Sequence, residues 1–397
     1  MKVAVVGARG PVGVATVRAL LDGNAHVLAV TRHPPAVEAG TPPPPAGASS
    51  PAASPAAPPT LPTTHPRLTI VAGSAADSPG LTATLTAAAP LDGVAVITPG
   101  TQAPANLVSA AVTAAATAGV QSVAVVSMLL AGKGDFTYAR WMADAEAAAR
   151  SAVAAAGSDG GGGGGGGDCG GGGNGGGRPR LALVRLANFY ENWLAVAPEV
   201  ATSGVLRDAF HPTTRVPSVS VADAGAAVAA VVLRASGIAA SMATATAAPS
   251  SGNDADDAAR GCGVDGGAAR FATGGGGGDC RVYNIVGGVE TLPQVASALA
   301  AATSRPVTYE PVDAAAATRR LEAVGVPAWA AAAAMEMYAW LDGCGGWGAT
   351  RPGGGSTETA ADRDTNGGRG GDFAALTGRM PADARTWAVA NAGAFMT

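Results

Sequence analysis

The sequence predicts an α/β fold: a doubly wound parallel sheet with a smaller, mostly helical C-terminal domain and several low-complexity insertions. Three observations predict it. Short runs of Val, Ala, Ile and Leu, apolar throughout as in strands buried on both faces, alternate with longer apolar-periodic segments along the first half of the chain. A glycine turn joins the first such run to the first helix. Pro- and Gly-rich stretches interrupt the alternation without ending it.

Lys2 to Val6 reads as the first strand. It runs into Gly7-Ala8-Arg9-Gly10-Pro11-Val12-Gly13 and then a helix with Val14, Val17, Leu20 and Leu21 on one face. The second strand, His26 to Val30, ends at Thr31-Arg32-His33. Arg67 to Ala72 is the third, followed by Gly73, Ser74, Asp77 and a helix around Leu81 to Ala88. The fourth, Gly93 to Thr98, ends in Pro99-Gly100-Thr101-Gln102, a loop at the carboxyl edge where ligands of such sheets sit. An Ala-rich helix over Asn106 to Ala118 leads to a fifth strand, Val120 to Val126, ending at Ser127-Met128. A long helix, Phe136 to Ala156, precedes the sixth strand, Leu181 to Leu186. Alternation of this kind implies right-handed crossovers between parallel strands.

The glycine turn has a mechanical reading. Gly7 lets the chain leave the strand sharply. Gly10 removes a side chain where a pyrophosphate would rest on backbone N–H groups and the positive end of the helix, and Gly13 allows close helix–sheet packing. Pro11 suits a first helical turn, where its missing N–H is not needed. The spacing is G-x-x-G-x-x-G, a variant of the usual dinucleotide fingerprint, but it lies between a strand and a helix, the context that gives such a motif meaning. An NAD site carries an Asp or Glu at the end of the second strand to accept from the ribose 2′-hydroxyl. Here Thr31 and Arg32 occupy that place, with Arg9 as a second cation. A guanidinium grips a phosphate bidentately, so NADP(H) is expected in preference to NAD(H).

Composition sets the outer bounds. The chain has 397 residues, but 58 are Gly and 28 Pro, and only 14% are charged. Low-complexity segments span about 34–66, 157–179, 235–279 and 343–372, and bury too little apolar surface to offset chain entropy. They read as loop insertions, leaving a folded body of about 260–270 residues. A nucleotide-binding domain is expected over 1–205. The remainder, 206–397, should return a late strand, 281–286, to the sheet and form the smaller domain. The net charge of −4, without a basic block, gives nucleic acid no electrostatic footing. Cys169, Cys262, Cys280 and Cys344 have neither metal-ligand nor disulfide-framework spacing. No apolar run is long enough to span a membrane, and the first strand begins at residue 2, so a cytoplasmic protein without a leader is expected.

Several spaced pieces resemble the NmrA-like family, the atypical short-chain dehydrogenase/reductases that include NADPH sensors, quinone reductases and triphenylmethane reductases. They are Gly7-Ala8-Arg9-Gly10-Pro11-Val12-Gly13, Thr31-Arg32-His33-Pro34, Val184 through Asn192 (VRLANFYEN), Val219-Ser220-Val221-Ala222-Asp223, Val282-Tyr283-Asn284-Ile285 with Gly287, and Thr377-Gly378-Arg379-Met380-Pro381 through Phe395. The resemblance implies that Gly7, Arg9, Gly10, Val12 and Gly13 face the pyrophosphate and Arg32 the 2′-phosphate. It places Thr98, Pro99 and Gln102 along the ribose–nicotinamide side, and Asn188, Phe189 and Tyr190 at the nicotinamide mouth. Ser74 stands where many relatives carry an Asp near the adenine, which leaves Asp77 as the nearest carboxylate.

Active short-chain dehydrogenases use a Ser with a Tyr-x-x-x-Lys on the helix after the fifth strand, the Lys lowering the Tyr pKa for proton transfer. Ser127 and Tyr138 take the first two places, but Met142 replaces the Lys, leaving Lys133 in the preceding loop as the nearest substitute. Tyr138, Ser127 and Lys133 are therefore the candidate catalytic residues, and packing on an amphipathic helix is the competing reading of Tyr138. Trp329, Met335, Met337, Tyr338 and Trp340 recur at helical spacing, the pattern of a core or of an aromatic substrate wall. His211 reads as an ordinary loop histidine, and Glu191-Asn192 as a brace for the loop after the sixth strand. Two functions follow as expectations: an NADPH-dependent reductase of a quinone-like or other small aromatic acceptor, or a nonenzymatic NADP(H)-responsive sensor that acts through a protein partner.

Overall fold

The computed structural model describes residues 1–34, 60–62, 65–98, 100–157, 178–235, 280–347 and 371–396. The four low-complexity segments, and with them Cys169, Cys262 and most of the residues between His33 and Arg67, fall almost entirely outside these. The central sheet has seven strands, all paired in parallel: β1 (Lys2–Val6), β2 (His26–Thr31), β3 (Leu68–Ala72), β4 (Gly93–Val96), β5 (Ser122–Met128), β6 (Arg180–Leu186) and β10 (Cys280–Ile285). Their spatial order is β10-β6-β5-β4-β1-β2-β3. The predicted doubly wound parallel sheet is thus the fold of this chain.

Helices cover both faces, which is why the central strands read as near-continuous apolar runs: Val3, Ala4 and Val5 are fully buried. On one face α1 (Pro11–Asp22) packs beside α6 (Val221–Ala235), the two crossing so closely that a Cβ on Gly225 would lie 2.4 Å from the Ala15 Cβ. On the other face α2 (Ser78–Ala87), α3 (Ala105–Thr117) and α4 (Thr137–Ala156) bury Leu81, Leu85, Val108, Val112, Ala145 and Ala149 against the sheet. The strand order reverses between β1 and β4, and a doubly wound sheet opens its ligand crevice at such a switch point.

Local chemistry shifts some boundaries from those expected. β5 starts at Ser122 because Gly119, in the left-handed region (φ 74°), turns the chain so that the Val120 amide closes the end of α3 on the Ala115 carbonyl (3.1 Å). α2 starts at Ser78 because the Asp77 carboxylate accepts the Gly80 amide (3.1 Å) as an N-cap.

The smaller body follows β6. It contains a three-stranded sheet of β7 (Asn188–Phe189), β9 (Val216–Val219) and β11 (Gly288–Glu290), and a pair formed by β8 (Val205–Asp208) with β12 (Thr308–Pro311). Around these lie α5 (Ala197–Ser203), α7 (Leu292–Thr303), α8 (Ala314–Ala323), α9 (Ala328–Gly343), α10 (Gly371–Thr377) and α11 (Ala384–Asn391). Glu199 of α5 joins two of these units by ion pairs to Arg207 (2.7 Å) and Arg320. The helix that positions the site is α9, which lies against α4 through Phe136–Trp340 (centroids 5.3 Å apart), Trp141–Trp329 (5.7 Å) and Tyr138–Trp329 (6.5 Å). No helix among the described residues is long and apolar enough to cross a membrane.

Candidate functional site

The glycine turn shows which of its glycines the fold itself requires. Gly7 has φ 86°, and its amide donates to the Val30 carbonyl (3.2 Å). At Gly13 an added Cβ would lie 2.3 Å from the Gly7 carbonyl oxygen and 2.8 Å from the Ala8 carbonyl carbon. Gly10 is different: its φ of −68° suits any residue, and a Cβ would meet nothing nearer than the Gly7 oxygen at 3.8 Å. Internal packing therefore gives no reason for its bareness, whereas a pyrophosphate lying over the start of α1 does. Pro11 is the first residue of that helix, no side chain caps it, and no acidic residue stands in its first turn with Val12 and Gly13. Its positive end is open to an anion. The residues present fit a dinucleotide.

At the end of β2, Arg9 reaches across to donate to the His33 carbonyl (2.7 Å), which sets its guanidinium beside that strand end. Buried Thr31 shares its hydroxyl with the backbone of His33 (3.3 Å), and Arg32 is exposed next to it. Two arginines thus stand at one strand end. Asp77 is committed to the α2 cap, and the Ser74 hydroxyl to the Ala76 amide (3.2 Å).

Beyond the carboxyl ends of β4, β5 and β6 lies a cavity of about 550 Å³. Thr98 lines it from the loop after β4, Ser127 from β5, Asn188 from β7, Tyr138 and Met142 from α4, and Met337 and Tyr338 from α9. Pro99 is outside the described residues, and Gln102 is exposed on the loop before α3. The Thr98 hydroxyl donates to the Val126 carbonyl, tying the end of β4 to β5. Asn188 and Phe189 line the cavity, and the Asn188 side chain accepts from the Asn192 amide (2.8 Å).

Tyr190 is not brought to the mouth. It is fully buried, its hydroxyl donates to the Glu290 carboxylate (3.0 Å), and its ring stacks on Trp387 (centroids 5.7 Å apart) and tilts onto Trp193 (5.5 Å). The aromatic helix divides its roles: Met337 and Tyr338 wall the cavity, while Trp329 and Trp340 pack on α4 and the residue that precedes it. His211 is held in its loop by Thr213 (2.8 Å) and by its own amide, which donates to Asp342 (3.2 Å).

The three candidate catalytic side chains do not assemble as a Ser–Tyr–Lys set. The Tyr138 hydroxyl points toward the Ala330 carbonyl of α9 (3.4 Å), and burial pushes its pKa up. The Lys133 ammonium stands over the Trp347 ring, 4.6 Å from its centroid. Ser127 Oγ donates to Glu146 Oε1 (2.8 Å). Glu146, on α4, is buried and takes a bidentate fork from Arg185 of β6, Nε and Nη2 both at 2.7 Å. Sequence reading passed over this network, yet a signal was there. Arg185 interrupts an otherwise apolar parallel strand, and a charge in that position has to find a partner.

Glu191, expected to brace a loop, does so: its Oε2 accepts the Val221 amide at the start of α6 (2.9 Å). It also lines the cavity. Burial pushes its pKa up against the pull of the Val221 amide, its own amide and the nearby Trp387 indole, and the charge of Asp223 adds to the rise.

No family model and no curated protein matches the sequence. Solved structures do match its shape. An NADPH-dependent quinone oxidoreductase from Escherichia coli, complexed with NADPH, is 18% identical, with 97% of this chain and 98% of that chain covered and a TM-score of 0.58. Triphenylmethane reductase from Citrobacter sp., complexed with NADP(H), is 15% identical over 99% and 100% of the two chains, again at 0.58. A nucleoside-diphosphate-sugar epimerase from Staphylococcus aureus is 14% identical over 98% and 100%, also at 0.58. At these identities the likeness establishes the fold.

Proposed function

We propose that this chain is an NADPH-dependent oxidoreductase that reduces a flat, largely apolar acceptor of the quinone-like or small aromatic kind, in the manner of the NmrA-like reductases it resembles. The observation that carries the reading is the cavity of about 550 Å³ at the switch-point edge of the sheet, open rather than filled by side chains and walled by Met142, Met337, Phe189, Tyr138 and Tyr338. That two proteins of the same fold are named a quinone oxidoreductase and a triphenylmethane reductase, each solved with its phosphorylated coenzyme, adds support.

When bound, the coenzyme supplies a hydride. The chain's own residues do the rest. The Gly7–Gly13 turn and the start of α1 hold the pyrophosphate, Arg9 and Arg32 favour the 2′-phosphate, and α9 closes the acceptor's side of the cavity against water. The sensor alternative draws on Met142 standing where the catalytic Lys would be, but an open acceptor-sized cavity has no part in it.

Two measurements test the reading. NADPH is expected to raise the thermal midpoint more than NADH, and Arg32→Asp to remove that preference. Loss of a charge-assisted bond worth about 1.5–3 kcal/mol weakens NADPH about 10- to 100-fold. Steady-state oxidation of NADPH with simple benzo- and naphthoquinones is expected at about one turnover per second or better. Tight NADPH binding with no turnover on any acceptor would favour the sensor.

A further inference from the structure

Reduction of a quinone-like acceptor places negative charge on an oxygen, and the cavity has to deliver a proton to it. Its hydroxyls are engaged elsewhere: Thr98 donates to Val126, Ser127 to Glu146, and Tyr138 faces the Ala330 carbonyl. Tyr338 is a phenol that burial holds well above its ordinary range, a poor acid at neutral pH. Among the described lining residues, Glu191 is the one that carries a carboxyl. It stands on the 3-10 turn Tyr190–Val196 directly after β7, so the edge of a sheet fixes its backbone, and the Val221 amide fixes one of its oxygens.

Resting on the reductase reading, we propose that Glu191 is the general acid of this site. As the hydride reaches the acceptor, the Glu191 O–H bond breaks and a new O–H bond forms on the acceptor oxygen. The acceptor gains two electrons, the coenzyme loses them, and the carboxylate left behind takes a proton from water at its partly exposed edge. The environment suits a carboxyl that remains protonated above the ordinary glutamate range. Asp223, across on α6, is negative and is itself ion-paired to Arg379 (2.7 Å). The phenols of Tyr138 and Tyr338 on the α4 and α9 walls bring no positive charge. From α11, the Trp387 indole pulls toward the ionised form more than Asp223 pulls against it, so burial of the carboxyl is what keeps the net shift upward.

The test compares wild type, Glu191→Gln and Glu191→Asp in NADPH oxidation with benzoquinone across pH. A general acid is active while protonated, so wild-type kcat should fall as pH rises through the raised pKa. Glu191→Gln should lose about 10²-fold or more in kcat together with that fall, while its affinity for NADPH stays within about twofold. Glu191→Asp should keep the pH dependence at a lower rate. A second readout needs no turnover: folding favours the protonated acid, so wild type should lose thermal stability relative to Glu191→Gln as pH rises from the ordinary glutamate range to the raised pKa, and no further above it. Glu191→Gln with kcat within about threefold and an unchanged pH profile would overturn the assignment and leave the reductase standing. Wild type that oxidises no NADPH with any acceptor would remove both.

Discussion

Arg185→Met should lower the thermal midpoint of this protein by about 10 °C, the largest stability loss expected from any single side chain at the site. The substitution leaves the Glu146 carboxylate, whose side chain is 3% exposed, without its bidentate partner. Breaking a buried ion pair from one side costs about 3–5 kcal/mol, and about 2–4 °C is lost per kcal/mol in a chain of this size. Arg150 lies 3.5 Å from the same carboxylate, but its side chain is 44% exposed and its single long contact replaces little of the fork. Removing both charges is a different experiment. Arg185→Met with Glu146→Leu should recover most of the loss, because the desolvation penalty of the pair disappears with the pair. Thermal unfolding of the two single variants and the double variant forms a cycle that checks this. A loss in the double variant equal to the sum of the two single losses would mean that the charges contribute nothing through each other. The network also joins the end of β5 to α4 and β6, so its loss should loosen Ser127 and Leu186 in the cavity wall.

What could be read from the sequence was what local chemistry decides. The central strands β1, β2, β4 and β5 were visible as apolar runs because helices on both faces remove the alternation that would mark a half-exposed strand, whereas the edge strand β10, with Arg281 and Asn284, shows no such run. Gly7 and Gly13 were legible for the same reason: a turn between a strand and a helix has few solutions, and glycine marks them. The second wall of the cavity was harder to see. Met337 and Tyr338 come from a helix about two hundred residues beyond Tyr138, and no periodicity says which face of α9 meets α4. Tyr190 shows a related limit. It follows two cavity-lining residues, yet one more step along the chain turns its ring into the Trp193–Trp387 cluster. Asp77 is the carboxylate nearest the expected adenine, but a carboxylate just before a helix has a nearer use as its cap. Glu191 had the opposite outcome, since the bracing role hid the fact that the same side chain reaches the cavity.

Gly10 and Gly13 should respond in opposite ways to the same added methyl group, and this contrast tests the coenzyme reading most directly. At Gly13 the new Cβ falls 2.3 Å from the Gly7 carbonyl oxygen and 2.9 Å from the Ala8 Cα, all of it backbone that cannot rotate away. Gly13→Ala should therefore move α1 off the sheet at a cost of about 3 kcal/mol or more, near the upper end for overpacked sites. Gly10→Ala should be neutral or stabilising by about 0.4–1 kcal/mol, since its φ of −68° and ψ of 159° suit alanine and the unfolded chain loses freedom. On the coenzyme reading its effect should fall on the ligand instead, because Gly10 is the N-cap of α1 and the pyrophosphate is expected to lie against that turn. NADPH affinity measured by calorimetry should drop at least tenfold, about 1.4 kcal/mol, with the midpoint of the unliganded protein unchanged or raised. A Gly10→Ala protein that binds NADPH as wild type does would show that the phosphates do not lie on this turn.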